Sequence, residues 1–421
     1  MVSADRPLKI ALLSYRGKPH CGGQGVYIHH LSRALTDLGH HVEVLSGQPY
    51  PVLDDRVPLH QLPSLDIFND AHPGRMPGFW EIKSWADAAE VGSFMTGAFS
   101  EPLAFSIRAW QMLRSRMGEF DLVHDNQSLG YGLLAIERDG LPVLGTIHHP
   151  ITVDRQLELE HARTPVERLG KRRWYSFTRM QSRVARRLQR IITVSESSRD
   201  DIARDQKVPR RLMHVVPVGV DPEQFRPLPG VERRPEQIIT TASADVPMKG
   251  LRYLLEAVAK LRTERDVRLI VIGKPREGGT SAEAIASLGL SQVVEFISGV
   301  PDERIVELYA TSSVAVVPSL YEGFSLPAIE AMCSGTPLVA TTGGALPEVA
   351  GPDGQTCVSV PPGDPEALAA AVGRVLDDPA MAARIGAAGR ERVISRWSWR
   401  HTAEQTVEHY RALLDEWQPD R

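Results

Sequence analysis

Pro318-Ser319-Leu320-Tyr321-Glu322-Gly323-Phe324-Ser325-Leu326-Pro327-Ala328-Ile329-Glu330-Ala331-Met332 is the stretch from which this fold is best read. The apolar run before it, residues 314–317, has the length and β-branched content of a buried strand. Pro318 ends that strand because it has no N–H for a ladder. Gly323 lies in the following loop, and a helix is expected to begin near Ser325. Pro327 suits the first helical turn, where a missing N–H leaves nothing unsatisfied. The amides of Phe324, Ser325 and Leu326 would then point past the strand end, where they can hold an anion. Glu322 falls in the loop and Glu330 in the helix. Two carboxylates offer paired acceptors suited to the hydroxyls of a sugar and a ribose. Two unrelated solvated acids would leave the same sequence.

The strand-helix rhythm extends outward from this segment. Strands are predicted at 238–242, 268–272, 293–297 and 338–341, with helices over 249–262, 302–311 and 327–334. The first half repeats the pattern, with strands at 8–13, 42–45, 122–124, 143–147 and 191–194 and a helix over 26–38. Short apolar strands between helices imply parallel sheets covered on both faces. Pro217, Pro222, Pro227, Pro229 and Pro235, with Gly230 among them, read as a linker. A chain of 421 residues also exceeds one ordinary core. The expected architecture is therefore α/β, with two Rossmann-like doubly wound domains, 1–226 and 227–396, facing a central cleft. Residues 397–421 follow, with Ala403, Val407, Tyr410, Leu414 and Trp417 at helical spacing. Residues 67–117 interrupt the first alternation, carry Trp80, Trp85 and Trp110, and read as an insertion near the cleft mouth. Ligands of such sheets gather at the carboxyl ends of the strands, so a two-substrate reaction would sit in the cleft.

Composition narrows the setting. A formal net charge of -4 gives no global attraction to nucleic acid. Cys21, Cys333 and Cys357 make neither a disulfide framework nor a zinc site, which suits a reducing cytoplasm. No secretory pattern opens the chain, and no segment reaches the about 18 apolar residues of a membrane span. One local exception is basic. Arg163, Arg168, Lys171, Arg172, Arg173, Arg179, Arg183, Arg186, Arg187 and Arg190 face a single acid, Glu167, with Trp174, Tyr175 and Phe177 interleaved. This is either a solvated helix face or a surface for anionic lipid, on the inner face of the membrane, or for a phosphorylated acceptor.

The Glu322-to-Glu330 spacing resembles the E-x7-E signature of glycosyltransferase family 4, a group of retaining GT-B enzymes. The resemblance runs along most of the chain. Val216-Pro217-Val218-Gly219-Val220-Asp221 with Phe225 and Pro227 is similar to the family's interdomain stretch. Gly343, Gly344, Pro347 and Glu348 are similar to its loop after the signature, and Gly363-Asp364 and residues 379–399 to its C-terminal parts. The resemblance also implies that residues 397–421 form a C-terminal helix that crosses back to the first domain.

The resemblance implies a hexose transfer from a nucleotide-diphosphate sugar to a glycan, glycolipid or small-molecule hydroxyl. The nucleotide sugar is a substrate, and neither a cofactor nor a metal is expected. UDP-sugars are favoured by the breadth of the family, with GDP-mannose the other donor. Glu322, Phe324, Ser325, Leu326 and Glu330 would bind that donor, and Gly23, in the turn Gly22-Gly23-Gln24-Gly25, would approach its diphosphate. Lys249 is a point charge for the same diphosphate. Family members pair that lysine with an earlier arginine, but residues 242–248 contain none, so Lys274 or Arg276 is the expected second cation. His148, at the end of the strand 143–147, would approach the donor sugar and the acceptor. Catalysis is thus expected of His148, Lys249 and Glu322, and His124, Asn126 and His149 are acceptor-side candidates. A GT-B sugar-nucleotide epimerase, a glycosidase using Glu322 and Glu330, and a non-catalytic carbohydrate-binding protein are the competing readings.

Overall fold

A computed structural model describes residues 6–17, 23–69, 74–162, 164–242, 245–275 and 278–418 and divides the chain into two compact units. The first comprises Met1–Val194, Arg199–Val216 and Trp399–Arg421, and the second Ser195–Ser198 and Pro217–Ser398.

In the first unit the chain runs β1 (Lys9–Ser14), α1 (Gly23–Asp37), β2 (His41–Ser46), β3 (Leu59–Gln61), α2 (Trp85–Met95) and α3 (Glu101–Leu113). It continues with β4 (Leu122–Asn126), α4 (Gly132–Arg138), β5 (Val143–Ile147), α5 (Ile151–His161), α6 (Pro165–Trp174) and α7 (Thr178–Ala185). β6 (Arg190–Thr193), α8 (Glu196–Gln206) and β7 (Met213–Val215) complete this run. The seven strands pair in parallel in the order β3-β2-β1-β4-β5-β6-β7. β4 and β5 are buried along their whole length, as central strands with helices on both faces must be.

The aromatic stretch after residue 67 is only partly an addition. α3 sends Phe105, Ala109 and Leu113 into the same core as Ala11, Val123 and Val143, so it is a layer of the fold rather than an insertion. α2 is tied to it by Arg108, whose guanidinium binds Asp87 at 2.5 Å and Glu90 at 2.6 Å. Phe79, Trp80 and Trp85, by contrast, are exposed.

The second unit holds β8 (Arg234–Thr241), α9 (Leu251–Leu261), β9 (Arg268–Ile272), α10 (Thr280–Ser287), β10 (Val294–Ile297), α11 (Asp302–Thr311) and β11 (Ser312–Val317). α12 (Leu326–Cys333), β12 (Leu338–Thr341), α13 (Leu346–Ala350), β13 (Val358–Val360), α14 (Pro365–Asp377) and α15 (Pro379–Ile394) follow. Its six parallel strands are ordered β10-β9-β8-β11-β12-β13. Ile238, Leu254, Leu269, Val314, Val316 and Val372 centre its core.

The units divide after Val216, not at residue 226, because the proline-rich segment is docked. Val218, Val220 and Phe225 are buried, the Val220 amide donates to the Trp397 carbonyl at 3.3 Å, and Arg390 holds the Phe225 carbonyl at 3.2 Å.

The last helix, α16 (Trp399–Glu416), belongs to the first unit. Its buried face is Trp399, Thr402, Ala403, Thr406, Tyr410 and Leu413, so Val407, Leu414 and Trp417 are not on it. Thr406 can join that face because its hydroxyl donates back to the Thr402 carbonyl at 2.7 Å and only its methyl needs an apolar neighbour.

Candidate functional site

Each sheet has a point where successive connections leave in opposite directions, between β1 and β4 and between β8 and β11. Crevices open at such points, beyond the carboxyl ends of the strands.

In the second unit, Lys249 follows β8 and Glu322 follows β11. Their side chains meet: Lys249 Nζ lies 2.9 Å from Glu322 Oε1 and 3.1 Å from Oε2. Ser319 Oγ donates to Oε1 at 2.7 Å. Glu322 is buried and Lys249 half-buried, so their attraction is stronger than that of a solvated pair. The backbone around them is closely fitted. Gly250 and Gly344 have φ of 66° and 62°, and a Cβ on them would strike the carbonyl oxygens of Pro318 and Glu322. The Leu320 amide donates to Met248 O at 2.8 Å, and the Ala345 amide to Glu322 O at 2.9 Å. Ser195 and Ser198 hydroxyls donate to the Gly323 carbonyl at 2.6 and 3.1 Å. Glu348 in turn accepts the Glu196 amide, at 3.1 Å to Oε2.

α12 begins at Leu326, with Ser325 before it in the left-handed region, φ 97° and ψ 86°. A serine held there is strained, and such strain persists where surrounding structure enforces it. The Ser325 hydroxyl is buried and has no hydrogen-bond partner among the described residues. Phe324 turns its ring inward against Trp397, 5.6 Å between centroids, so only its backbone faces the loop. Leu326 is half-buried.

Glu330 is further along α12 and does not join the Lys249 pair. Tyr309 Oη donates to its Oε2 at 3.4 Å, and Thr241 lies 2.9 Å from that hydroxyl. Burial, aided by the negative charge of Asp302, pushes the Glu330 pKa up to about 7. Lys274, past β9, is exposed and has no hydrogen bond or ion pair among the described residues. Arg276 and Gly22 lie outside the described residues.

In the first unit His148 stands just past β5. Its Nε2 is 2.6 Å from Asn126 Oδ1, which fixes the proton on Nε2. This juxtaposition follows from register, because β4 and β5 are neighbours with Asn126 opposite Thr146. Tyr27 packs edge-on against the His148 ring at 4.6 Å. Gln127, itself left-handed at φ 58°, accepts the His148 amide at 2.8 Å and donates to the His149 carbonyl at 2.8 Å. Burial, with His149 beside it, lowers the His148 pKa to about 3. It is therefore a neutral hydrogen-bonding group at ordinary pH.

His149 is directed at Asp154, 2.8 Å from Nε2. His124 is fully buried, and both its nitrogens are taken, by Tyr410 Oη at 2.5 Å and Thr146 Oγ1 at 2.6 Å. No ring nitrogen is left there for an acceptor, so His124 is an interior anchor for α16. Gly23 is the first residue of α1, and a Cβ on it would meet nothing within 4 Å.

Ser319, Tyr309 and Gln127 were not legible as site residues. Tyr309 and Gln127 act through partners distant in sequence, which no local spacing marks, and Ser319 acts on Glu322 only because the loop between them folds back.

Comparison with known proteins gives this frame its chemistry. Residues 229–392 match the family model of glycosyl transferases group 1, and residues 21–92 and 86–224 that of glycosyltransferase family 4. An MMP alpha-(1->4)-mannosyltransferase of Mycolicibacterium hassiacum is 52% identical, over 97% of this chain and 98% of its own. A D-inositol 3-phosphate glycosyltransferase of Streptomyces scabiei is 29% identical, over 97% and 92%. The sucrose-phosphate synthase structure from Thermosynechococcus elongatus aligns with a TM-score of 0.73 and 25% identity, covering 97% of this chain and 100% of that one. The Anabaena protein HepE, solved with UDP-glucose, aligns at a TM-score of 0.71 and 18% identity over 96% and 100%, a likeness of fold. The chain has the GT-B fold, is a glycosyltransferase, and belongs to glycosyltransferase family 4.

Proposed function

We propose that this enzyme moves a mannosyl group from a nucleoside-diphosphate mannose to a sugar hydroxyl, retaining the anomeric configuration and using no metal. The observation that carries the reading is Ser325: a strained residue with an unpartnered buried hydroxyl at the open amide end of α12, three residues from the Lys249–Glu322 pair. A phosphate fits that end by geometry and by the helix dipole.

The C1–O bond to the diphosphate breaks as the acceptor oxygen bonds to C1, and the acceptor proton passes to the departing phosphate oxygen on the same face. Negative charge grows on the leaving group, and Lys249, the α12 amides and Ser325 Oγ stabilise it without reorganising. Gly23, exposed at the N-terminus of α1, is the residue proposed for phosphate contact from the first unit. Glu322 Oε2 retains acceptor capacity for a hydroxyl of the sugar, and Glu330 for the ribose. His148, oriented by Asn126 and Gln127, aligns the reacting hydroxyl rather than taking its proton. Lys274, exposed past β9, remains the proposed second cation for the diphosphate.

The 52% identical relative is named for an α-linked mannosyl product. Nucleoside-diphosphate mannose is itself α-linked, so transfer from α to α is retention. The same name favours GDP-mannose over the UDP-sugars. A thermal-shift screen with UDP, GDP, ADP and their sugars tests the donor, because a ligand that binds only the native state raises the melting temperature. GDP and GDP-mannose are expected to stabilise, and GDP-mannose to yield an α-mannoside at a rate unchanged by chelator. Stabilisation by UDP alone would overturn the donor, and a β product the retention.

Contact with an anionic membrane surface through the basic stretch belongs to the same proposal. Val166 and Leu169 on α6 are 81% and 51% exposed, while no described helix is long and apolar enough to cross a membrane. The basic stretch is not one continuous face, since Lys171 pairs with Glu158, Arg183 with the Tyr131 hydroxyl and Arg190 with Glu416. Sedimentation with phosphatidylglycerol vesicles, weakened in Val166→Asp/Leu169→Asp, is the expected result.

A further inference from the structure

α5 begins three residues after His148, and its first two turns line a cavity of about 550 Å³ within the first unit. Thr152, Arg155 and Gln156 come from α5, Arg168 and Arg172 from α6, and Asp205 from α8.

The charges in this cavity are not matched in pairs. Asp205 is already engaged, accepting from Thr152 Oγ1 at 2.9 Å and pairing with Arg204 at 2.8 Å. Glu160, also on the wall, accepts from Gln156 at 3.0 Å. The guanidinium groups of Arg155, Arg168 and Arg172 make no ion pair or hydrogen bond with any described residue. Lys171, between two of them in sequence, is bound to Glu158 at 2.5 Å, so an acid was available to this helix and went elsewhere.

The helix itself fixes the arrangement. Thr164 caps α6 by accepting the Glu167 amide at 3.1 Å, with Pro165 at the first position. Arg168 and Arg172 then stand one above the other, four residues apart. Three cations share this concavity with two carboxylates, of which Asp205 is already paired with Arg204, so the wall keeps an excess of positive charge. Guanidinium forks match the paired oxygens of a carboxylate or phosphate.

We infer that this cavity binds an oxyanion, a carboxylate or phosphate, carried by the sugar acceptor. The inference rests on the glycosyltransfer reading, since it is α5 that links the cavity to the His148 strand end. It assigns Arg168 and Arg172 to a substrate and leaves the membrane contact proposed above to Val166, Leu169 and the rest of the basic stretch.

The test compares transfer to mannose 6-phosphate and to a mannuronoside with transfer to a neutral mannoside. The wild type and Arg155→Gln/Arg172→Gln are used, with inorganic phosphate as a separate binding probe. An anionic acceptor should show a KM about ten-fold lower than the neutral one in the wild type. That ratio should fall to near one in the double variant. It should also fall in wild-type protein as salt rises, a measurement that needs no variant to fold. Equal KM for anionic and neutral acceptors, or a preference for a longer neutral chain, overturns the inference. So does an anionic preference that survives the substitution. If phosphate raises the melting temperature without competing against the acceptor, the occupant is a free anion and the acceptor assignment falls. Loss of transfer to every acceptor, with phosphate binding intact, would instead count against the glycosyltransfer reading.

Discussion

The two units hold their candidate residues by opposite means. In the second, a lysine and a carboxylate face each other at 2.9 Å beside an open helix end. In the first, His148, Asn126 and Gln127 are joined by neutral hydrogen bonds, with the histidine pKa pushed down to about 3. The contrast fits the two halves of a transfer. A departing diphosphate gains charge and needs a cation, whereas an incoming hydroxyl needs direction.

Lys249→Ala should sharpen this contrast most. Losing a preorganised cation from the leaving group is expected to lower kcat by about 10²–10³-fold. It also strands the buried Glu322 carboxylate, so Lys249→Ala/Glu322→Gln should recover melting temperature without recovering turnover. A loss under about ten-fold would break the comparison.

His148→Ala comes next, with a loss of about 10²-fold expected from lost alignment. The wild-type rate should show no inflection near 6.5 from this ring, since it is already neutral. An inflection there that disappears in the variant would make His148 a titrating base and erase the contrast between the units.

Glu330 gives a smaller, pH-linked effect. Its pKa rises from 4.5 to about 7 on folding, so the native state holds the proton more tightly than the unfolded chain. Stability is complete below pH 4.5 and falls as pH rises toward 7. Glu330→Gln should therefore raise the melting temperature of the ligand-free protein at pH 8 and leave it nearly unchanged at pH 4. An equal shift at both values would refute this.

Tyr410→Phe should have the least effect on turnover. It removes the partner of a buried His124 nitrogen and should cost roughly 1–2 kcal/mol of stability by urea unfolding.

Legibility in the sequence differed between the two units in the same way. The passage from β11 to α12 was readable because Pro318, Gly323 and Pro327 punctuate it locally. The left-handed Ser325 was not, since nothing in the residue type announces φ 97°. Short β3, β7 and β13 escaped because three residues carry too little period to separate from a loop. The Lys249–Glu322 pair spans 73 positions, and the His124–Tyr410 bond spans 286. Both depend on strand order and on where the last helix goes, which periodicity does not reveal. α3 differs for a related reason: Trp80, Trp85 and Trp110 suggest an insertion near the cleft mouth, whereas Phe105, Ala109 and Leu113 pack into the core with Val123 and Val143.

The return of α16 has a consequence for biosynthesis. The first unit is assembled from segments on either side of the second in sequence: Trp399 stacks on His30 at 4.9 Å, and Tyr410 closes on His124. A ribosome delivers those residues only after the whole second unit has been made. The unit begun first thus waits for residues made after the second, and a nascent chain holds Tyr27, His30 and His124 without their α16 neighbours until that helix emerges.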